Sequence, residues 1–179
     1  MSIPLIDTAE TSPRASFDMR ELRDCFGAFY TGVTVVTTRD DEGRIYGTTV
    51  NSFSSLSLDP PLILWSQRRV SSTFPIFSAA RYFAVNILAE DQVEISQAFS
   101  STRPDKFAGI RTQPGLGGAP LILGCSAYLQ CSNEMSYPGG DHEIFVGRVE
   151  QIETMQRPPL IFGAGRYRTS QLLQAGAGR

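Results

Sequence analysis

One histidine, His142, is all the sequence contains, and that scarcity removes whole classes of chemistry. It leaves no material for a multi-histidine metal centre. A serine hydrolase would need His142 as its base, and no GxSxG elbow is present to carry a nucleophile. The three cysteines, Cys25, Cys125 and Cys131, are an odd set with no CxxC pair. Cys125 and Cys131 are predicted to share one face of one strand, ~20 Å apart, beyond the ~7 Å reach of a disulfide, so both read as reduced core thiols. No GxxxxGK[ST] phosphate loop occurs. Gly115-Leu116-Gly117-Gly118 and Gly163-Ala164-Gly165 do not complete a dinucleotide fingerprint, and neither opens the helix of a βαβ unit. No apolar run reaches the ~18 residues of a membrane span. The N-terminus, MSIPLIDTAETSPRAS, has no basic region followed by an apolar core, so the expected location is the cytoplasm. Nor is there an excess of one charge: a net charge of −2 gives no electrostatic footprint for nucleic acid.

What is present describes one ordinary globular domain. The 179 residues are 41% hydrophobic and 19% charged, enough to bury a core without metals or disulfides. Lys106 is the single lysine among 16 basic residues; the rest are arginines, whose planar forks suit phosphate groups. Residues 1–16, with Pro4 and Pro13, read as a flexible arm, 17–170 as the domain, and the Ala- and Gly-rich 171–179 as a tail. Met19, Leu22, Phe26 and Phe29 recur at helical spacing, with Asp18 and Glu21 as a capping box and Gly32 as a stop. Residues 32–38, GVTVVTT, are β-branched enough for a strand. Asp40 to Gly43 reads as a hairpin turn into a returning strand, Arg44 to Val50. Further strands are expected at 62–66, 82–88, 121–135 with a break near Gly124, 142–154 and 160–162, and short helices at 71–80 and 90–100. About seven strands with peripheral helices predict a mainly β chain, an antiparallel barrel.

The stretch Gly47 to Leu64, GTTVNSFSSLSLDPPLIL, organises the rest. Val50, Phe53, Leu56 and Leu58 are expected inside, while Thr48, Thr49, Asn51, Ser52, Ser54, Ser55 and Ser57 offer hydroxyls and an amide; Asn51 to Ser57 is expected to form a small polar loop, and the run stops at Asp59-Pro60-Pro61. Such a loop between apolar strands can cradle a flat ligand with carbonyls, ring nitrogens and a phosphate. With no catalytic constellation evident in the chain, any enzymatic chemistry is expected to come from a bound cofactor.

GVTVVTT, GTTVNSFSSLSLDPPLIL, Ser71-Ser72-Thr73, YFAVNIL at 82–88, DKF at 105–107 and GDHEIFVGRV at 140–149 together resemble the short-chain flavin reductase family, from about Phe17 to Tyr167. These are the small reductases of two-component flavin monooxygenases. The resemblance implies a split antiparallel β-barrel, a homodimer, FMN or FAD in a cleft, and NADH or NADPH as hydride donor. It also implies that reduced flavin passes by diffusion to a partner monooxygenase. Position by position, it implies that Thr34 lies near the flavin, that Thr49, Val50, Asn51 and Ser52 border the ring, and that Ser55 and Ser57 extend that border. Ser71, Ser72 and Thr73 would hold the phosphate, with Arg68 or Arg69 assisting. Asn86, Lys106, Phe107, Arg166 and Tyr167 are further carry-overs. His142 would stand beside the nicotinamide as the catalytic-site histidine. Two other functions suit the same barrel: a flavin-binding or flavin-sensing module without reductase turnover, and a pyridoxamine-phosphate-oxidase-like FMN enzyme.

Overall fold

The computed structural model describes residues 16–171. The arm expected over 1–16 and the tail over 171–179 therefore lie outside the described residues, apart from Ser16 and Gln171. The elements in chain order are α1 (Met19–Gly27), β1 (Thr31–Gly32), β2 (Thr34–Arg39), β3 (Ile45–Val50), β4 (Ser54–Leu58), β5 (Pro61–Arg68), α2 (Phe74–Ala79) and β6 (Tyr82–Ile87). There follow α3 (Val93–Ser100), β7 (Thr112–Pro114), β8 (Pro120–Ile122), β9 (Ala127–Gly139), β10 (His142–Thr154), β11 (Ile161–Gly163) and β12 (Arg166–Arg168).

Seven strands form one antiparallel sheet in the order β3-β2-β6-β9-β10-β5-β4. The two ends of that ladder, β3 and β4, are neighbours in sequence, joined by Asn51, Ser52 and Phe53. No hydrogen-bonded ladder closes the gap between them, so the sheet is split there. The Ser52 hydroxyl crosses the split, accepting from the Ser66 N–H at 2.9 Å and donating to the Ser66 carbonyl at 3.0 Å. The mainly β, antiparallel architecture with peripheral helices agrees with the sequence reading.

Both faces of the central strands are covered, which is why GVTVVTT reads as continuous rather than alternating. Val35 and Ala84 face one core with Leu88, Phe99, Ile122, Cys125 and Leu160. Val36, Phe83 and Val85 face a second core around Trp65. There Trp65 stacks on Phe145 at 4.6 Å and meets Phe77 edge-on at 5.1 Å.

Four expectations are corrected. The helix α1 has the capping box, with Asp18 Oδ1 accepting from the Arg20 and Glu21 N–H groups and Glu21 accepting from the Asp18 N–H. However, it ends at Gly27 rather than running on toward Gly32, and none of its residues is fully buried; on its apolar face only Leu22 is half-buried. Residues 54–58 are the edge strand β4 rather than a loop, because Ser54, Ser55, Ser57 and Leu58 pair with β5; Leu56 and Leu58 point outward. The β stretch from 121 breaks near Gly124 as expected, where the backbone takes a φ of +85°, but β9 then continues to Gly139, past the end expected at 135. Cys125 therefore precedes the strand, and the two thiols lie in different cores.

Candidate functional site

A cleft of about 940 Å³ runs between β3, the turn linking β5 to α2, and residues 99–107. A hollow of about 300 Å³ shares Thr48, Thr49, Arg68 and Ser71 with it and continues to Asn51, Gln67 and His142. A third, of about 290 Å³, opens from Thr49, Val50 and Asn51 toward Ser96 and Tyr167. The three meet along Thr48 to Asn51, so the end of β3 is the centre of the site.

That centre is built by packing. Gly47 admits the Phe99 ring so closely that a Cβ there would lie 2.5 Å from it. This lets α3 lie against β3, where the Thr49 hydroxyl donates to the Ser96 carbonyl at 2.7 Å. Ser96 Oγ and the Tyr167 hydroxyl are 3.0 Å apart, which ties β12 to the same corner.

At one end of the cleft, Ser71, Ser72 and Thr73 form its wall with Arg68. Gln67 stands behind them. Its Nε2 donates to Ser71 Oγ at 3.1 Å and to Thr73 Oγ1 at 2.7 Å, and the two hydroxyl oxygens are 3.0 Å apart. At the other end, Lys106 donates from Nζ to the Phe99 carbonyl at 2.9 Å. Burial, and secondarily the nearby Arg103, lowers the pKa of Lys106. Phe107 meets Phe99 edge-on at 4.8 Å and lines the cleft with its exposed side.

The β5–β10 register places His142 opposite Arg68, at the rim of the second hollow. Its Nδ1 is 2.7 Å from Asp141 Oδ1, and that hydrogen bond holds the Asp141 carboxyl below the usual carboxylate range. Arg69 is drawn away from the cleft by Glu143, to which it donates from Nε and from Nη2 at 2.7 Å.

The fold thus gathers Thr49, Val50, Asn51, Ser52, Ser71, Ser72, Thr73, Lys106, Phe107, Tyr167 and His142 around these connected spaces. Five expected residues are not brought there. Thr34 is buried, donating to the Val50 carbonyl. Asn86 is fully buried, bonding the Val35 carbonyl, Thr37 and the Ile122 N–H. Ser55 and Ser57 lie on the edge strand β4 and line none of the three spaces. Arg166 is exposed on β12. Gln67 was missed by the sequence reading. Its signal is a polar residue at a buried position of the β5 alternation Ile63, Trp65, Gln67.

The cleft size lies in the range of small-ligand sites. Its hydroxyls and Arg68 at one end suit a phosphate. The peptide groups and amide along β3 suit a flat polar ring.

The family described as flavin reductase like domain matches residues 26–171. The reductase component of a flavin-dependent trigonelline monooxygenase from Acinetobacter baylyi (strain ATCC 33305 / BD413 / ADP1) is 44% identical over 84% of this chain. The FMN reductase (NADH) SmoA from Agrobacterium fabrum (strain C58 / ATCC 33970) is 43% identical over 83% of this chain and 84% of its own length. The chain spans about half the length of some curated relatives, 49% of the Acinetobacter protein and 50% of one from Rhizobium meliloti (strain 1021). Among solved structures, Streptomyces globisporus C-1027 NADH:FAD oxidoreductase SgcE6, in complex with NAD and FAD fragments, superposes with a TM-score of 0.81. It is 36% identical and covers 90% of this chain and 96% of its own.

Proposed function

The chain belongs to the flavin reductase-like family, and from that premise we propose that it is an NAD(P)H-dependent flavin reductase supplying reduced FMN or FAD to a partner monooxygenase. The observation that carries this reading is the continuity of the site: an anion-suited hydroxyl cluster, a polar strand end and His142 open onto connected spaces. The similarity to SmoA and SgcE6, whose names specify NADH, supports NADH as donor. The similarity to a monooxygenase reductase component supports the partner.

In this reading a bound flavin supplies the hydride acceptor, and the protein supplies alignment. Ser71, Ser72, Thr73 and Arg68 hold the phosphate. Peptide groups at Thr49 to Ser52 orient the ring and offer donors where negative charge develops on it. Phe107 and Phe99 shield one end of the cleft from water. His142, fixed by Asp141, positions the nicotinamide by hydrogen bonding to its carboxamide. Hydride transfer needs no general base, so His142 orients rather than exchanges a proton.

A homodimer and residence in the cytoplasm belong to the same proposal. The exposed Phe26 and Phe29 on and after α1 supply an apolar face for a second copy. Three free cysteines suit a reducing compartment.

The test is NADH oxidation by the purified protein without flavin, then with FMN, FAD and riboflavin in turn. Fast oxidation that saturates with one flavin is expected. No oxidation with any flavin, repeated with NADPH, would overturn the reductase reading and leave a flavin-binding module in its place.

A further inference from the structure

Gln67 has an amide whose two ends are treated differently. The residue is 4% exposed. Its Oε1 is buried with no hydrogen-bond partner among the described residues. Its Nε2 commits both hydrogens, one to Ser71 Oγ and one to Thr73 Oγ1. A buried acceptor left unpaired costs stability, and such groups in folded proteins call for an explanation.

The explanation lies in the direction of the hydroxyl protons. Ser71 and Thr73 have one O–H each. Because the amide donates to both oxygens, neither proton can be given to it. One hydroxyl donates to the other across 3.0 Å. The second proton then remains for an acceptor in the cleft that both residues line. With the amide reversed, Oε1 would accept both protons, and the pair would turn only lone pairs toward the cleft. That arrangement repels an anion. The orientation of one buried amide therefore decides whether the Ser71–Thr73 pair offers a donor or a lone pair.

We propose that Gln67 is a positioning residue that fixes the Ser71–Thr73 hydroxyl pair as a donor to the phosphate of a nucleotide flavin. This rests on the reading that the phosphate lies at Ser71 to Thr73. Gln67 also borders the second hollow, but on the phosphate it acts only through the two hydroxyls.

The experiment compares FMN with riboflavin, which has the same ring and no phosphate. Dissociation constants for both are measured by flavin-fluorescence titration on the wild type, Gln67→Leu, Gln67→Glu and the double variant Ser71→Ala with Thr73→Val. Gln67→Leu is expected to weaken FMN about tenfold, the value of a hydrogen bond to a charged group, with riboflavin within about twofold. Gln67→Glu, whose carboxylate accepts both hydroxyl protons and adds negative charge, is expected to weaken FMN at least as much, again sparing riboflavin. Equal losses for the two ligands would show a structural role only and overturn the proposal; so would no loss in either Gln67 variant. The double variant separates the two levels of inference. If it does not discriminate FMN from riboflavin, the phosphate is elsewhere and the proposal falls with that reading. If it does discriminate while both Gln67 variants do not, the phosphate reading stands and the role of Gln67 is refuted.

Discussion

At the residue scale, environment separates groups that look alike in the chain. Cys25 is exposed, whereas burial pushes the thiols of Cys125 and Cys131 up to about 12. In native protein at mildly alkaline pH, one of the three cysteines should react with a thiol reagent, and all three after denaturation. Fast labelling of two or more native thiols would contradict the described cores. His142 and Gln67 show the same division between what the chain announces and what it hides. A lone histidine in a GDH context is conspicuous, and so are Ser71 to Thr73. Gln67 is inconspicuous because a glutamine carries no motif; only its buried place on β5 gives it meaning. Replacing His142 with Ala should raise KM for NADH roughly fivefold, the value of one hydrogen bond, and leave the flavin dissociation constant unchanged. A matching loss in flavin affinity would place His142 on the flavin instead. Acid behaviour has a defined sign. Hydrogen bonds from Arg69 and then Ser136 lower the Glu143 pKa. The stability that Glu143 contributes is therefore present above the unfolded carboxylate value of about 4.3 and lost as pH falls through its lowered folded value. The denaturation midpoint of Glu143→Gln should fall less steeply below that point than the wild type's; parallel curves would remove this pair from the acid response.

At the element scale, strands were read well wherever side chains alternate or stack in both cores, and poorly where one face is solvent. Arg44 to Val50 and His142 to Thr154 matched β3 and β10 closely because turn residues bound them. The segment 54–57 reads as a loop because Ser54, Ser55 and Ser57 in so short a run look like loop composition. As an edge strand paired only to β5, it needs no apolar alternation. The split beside it rests on Ser52. Replacing Ser52 with Ala leaves the Ser66 N–H without its acceptor, and should cost about 1–3 kcal/mol in denaturant unfolding. An unchanged midpoint would show that the split is held by other contacts. At Gly47, an added methyl meets the Phe99 ring. Gly47→Ala should cost about 1–3 kcal/mol by overpacking and weaken flavin binding, because Phe99 walls the cleft.

At the scale of the whole molecule, the unburied surface matters most. Phe29 is 78% exposed, Phe26 68% and Leu58 94%. The sequence spacing of α1 signalled an apolar face correctly, but periodicity does not say whether such a face meets the chain's own core or another molecule. In the described residues α1 is held mainly at its end, where the Ala164 N–H donates to the Gly27 carbonyl. Sedimentation at micromolar concentration should give a dimer, and Phe26→Ser with Phe29→Ser should shift it toward monomer; a monomeric wild type would contradict the homodimer. The sequence by itself determined the strands bounded by turn residues, such as β3 and β10, the helix cap, and the hydroxyls that suit a phosphate. These depend on local backbone preference and on residue type, which neighbours along the chain express. Tertiary structure alone decided that Thr34 and Asn86 belong to the interior, that β3 and β4 flank an open split, and that Gln67 stands behind Ser71 and Thr73. Those outcomes depend on pairing register between strands distant in sequence, where a shift of one residue turns every side chain to the opposite face.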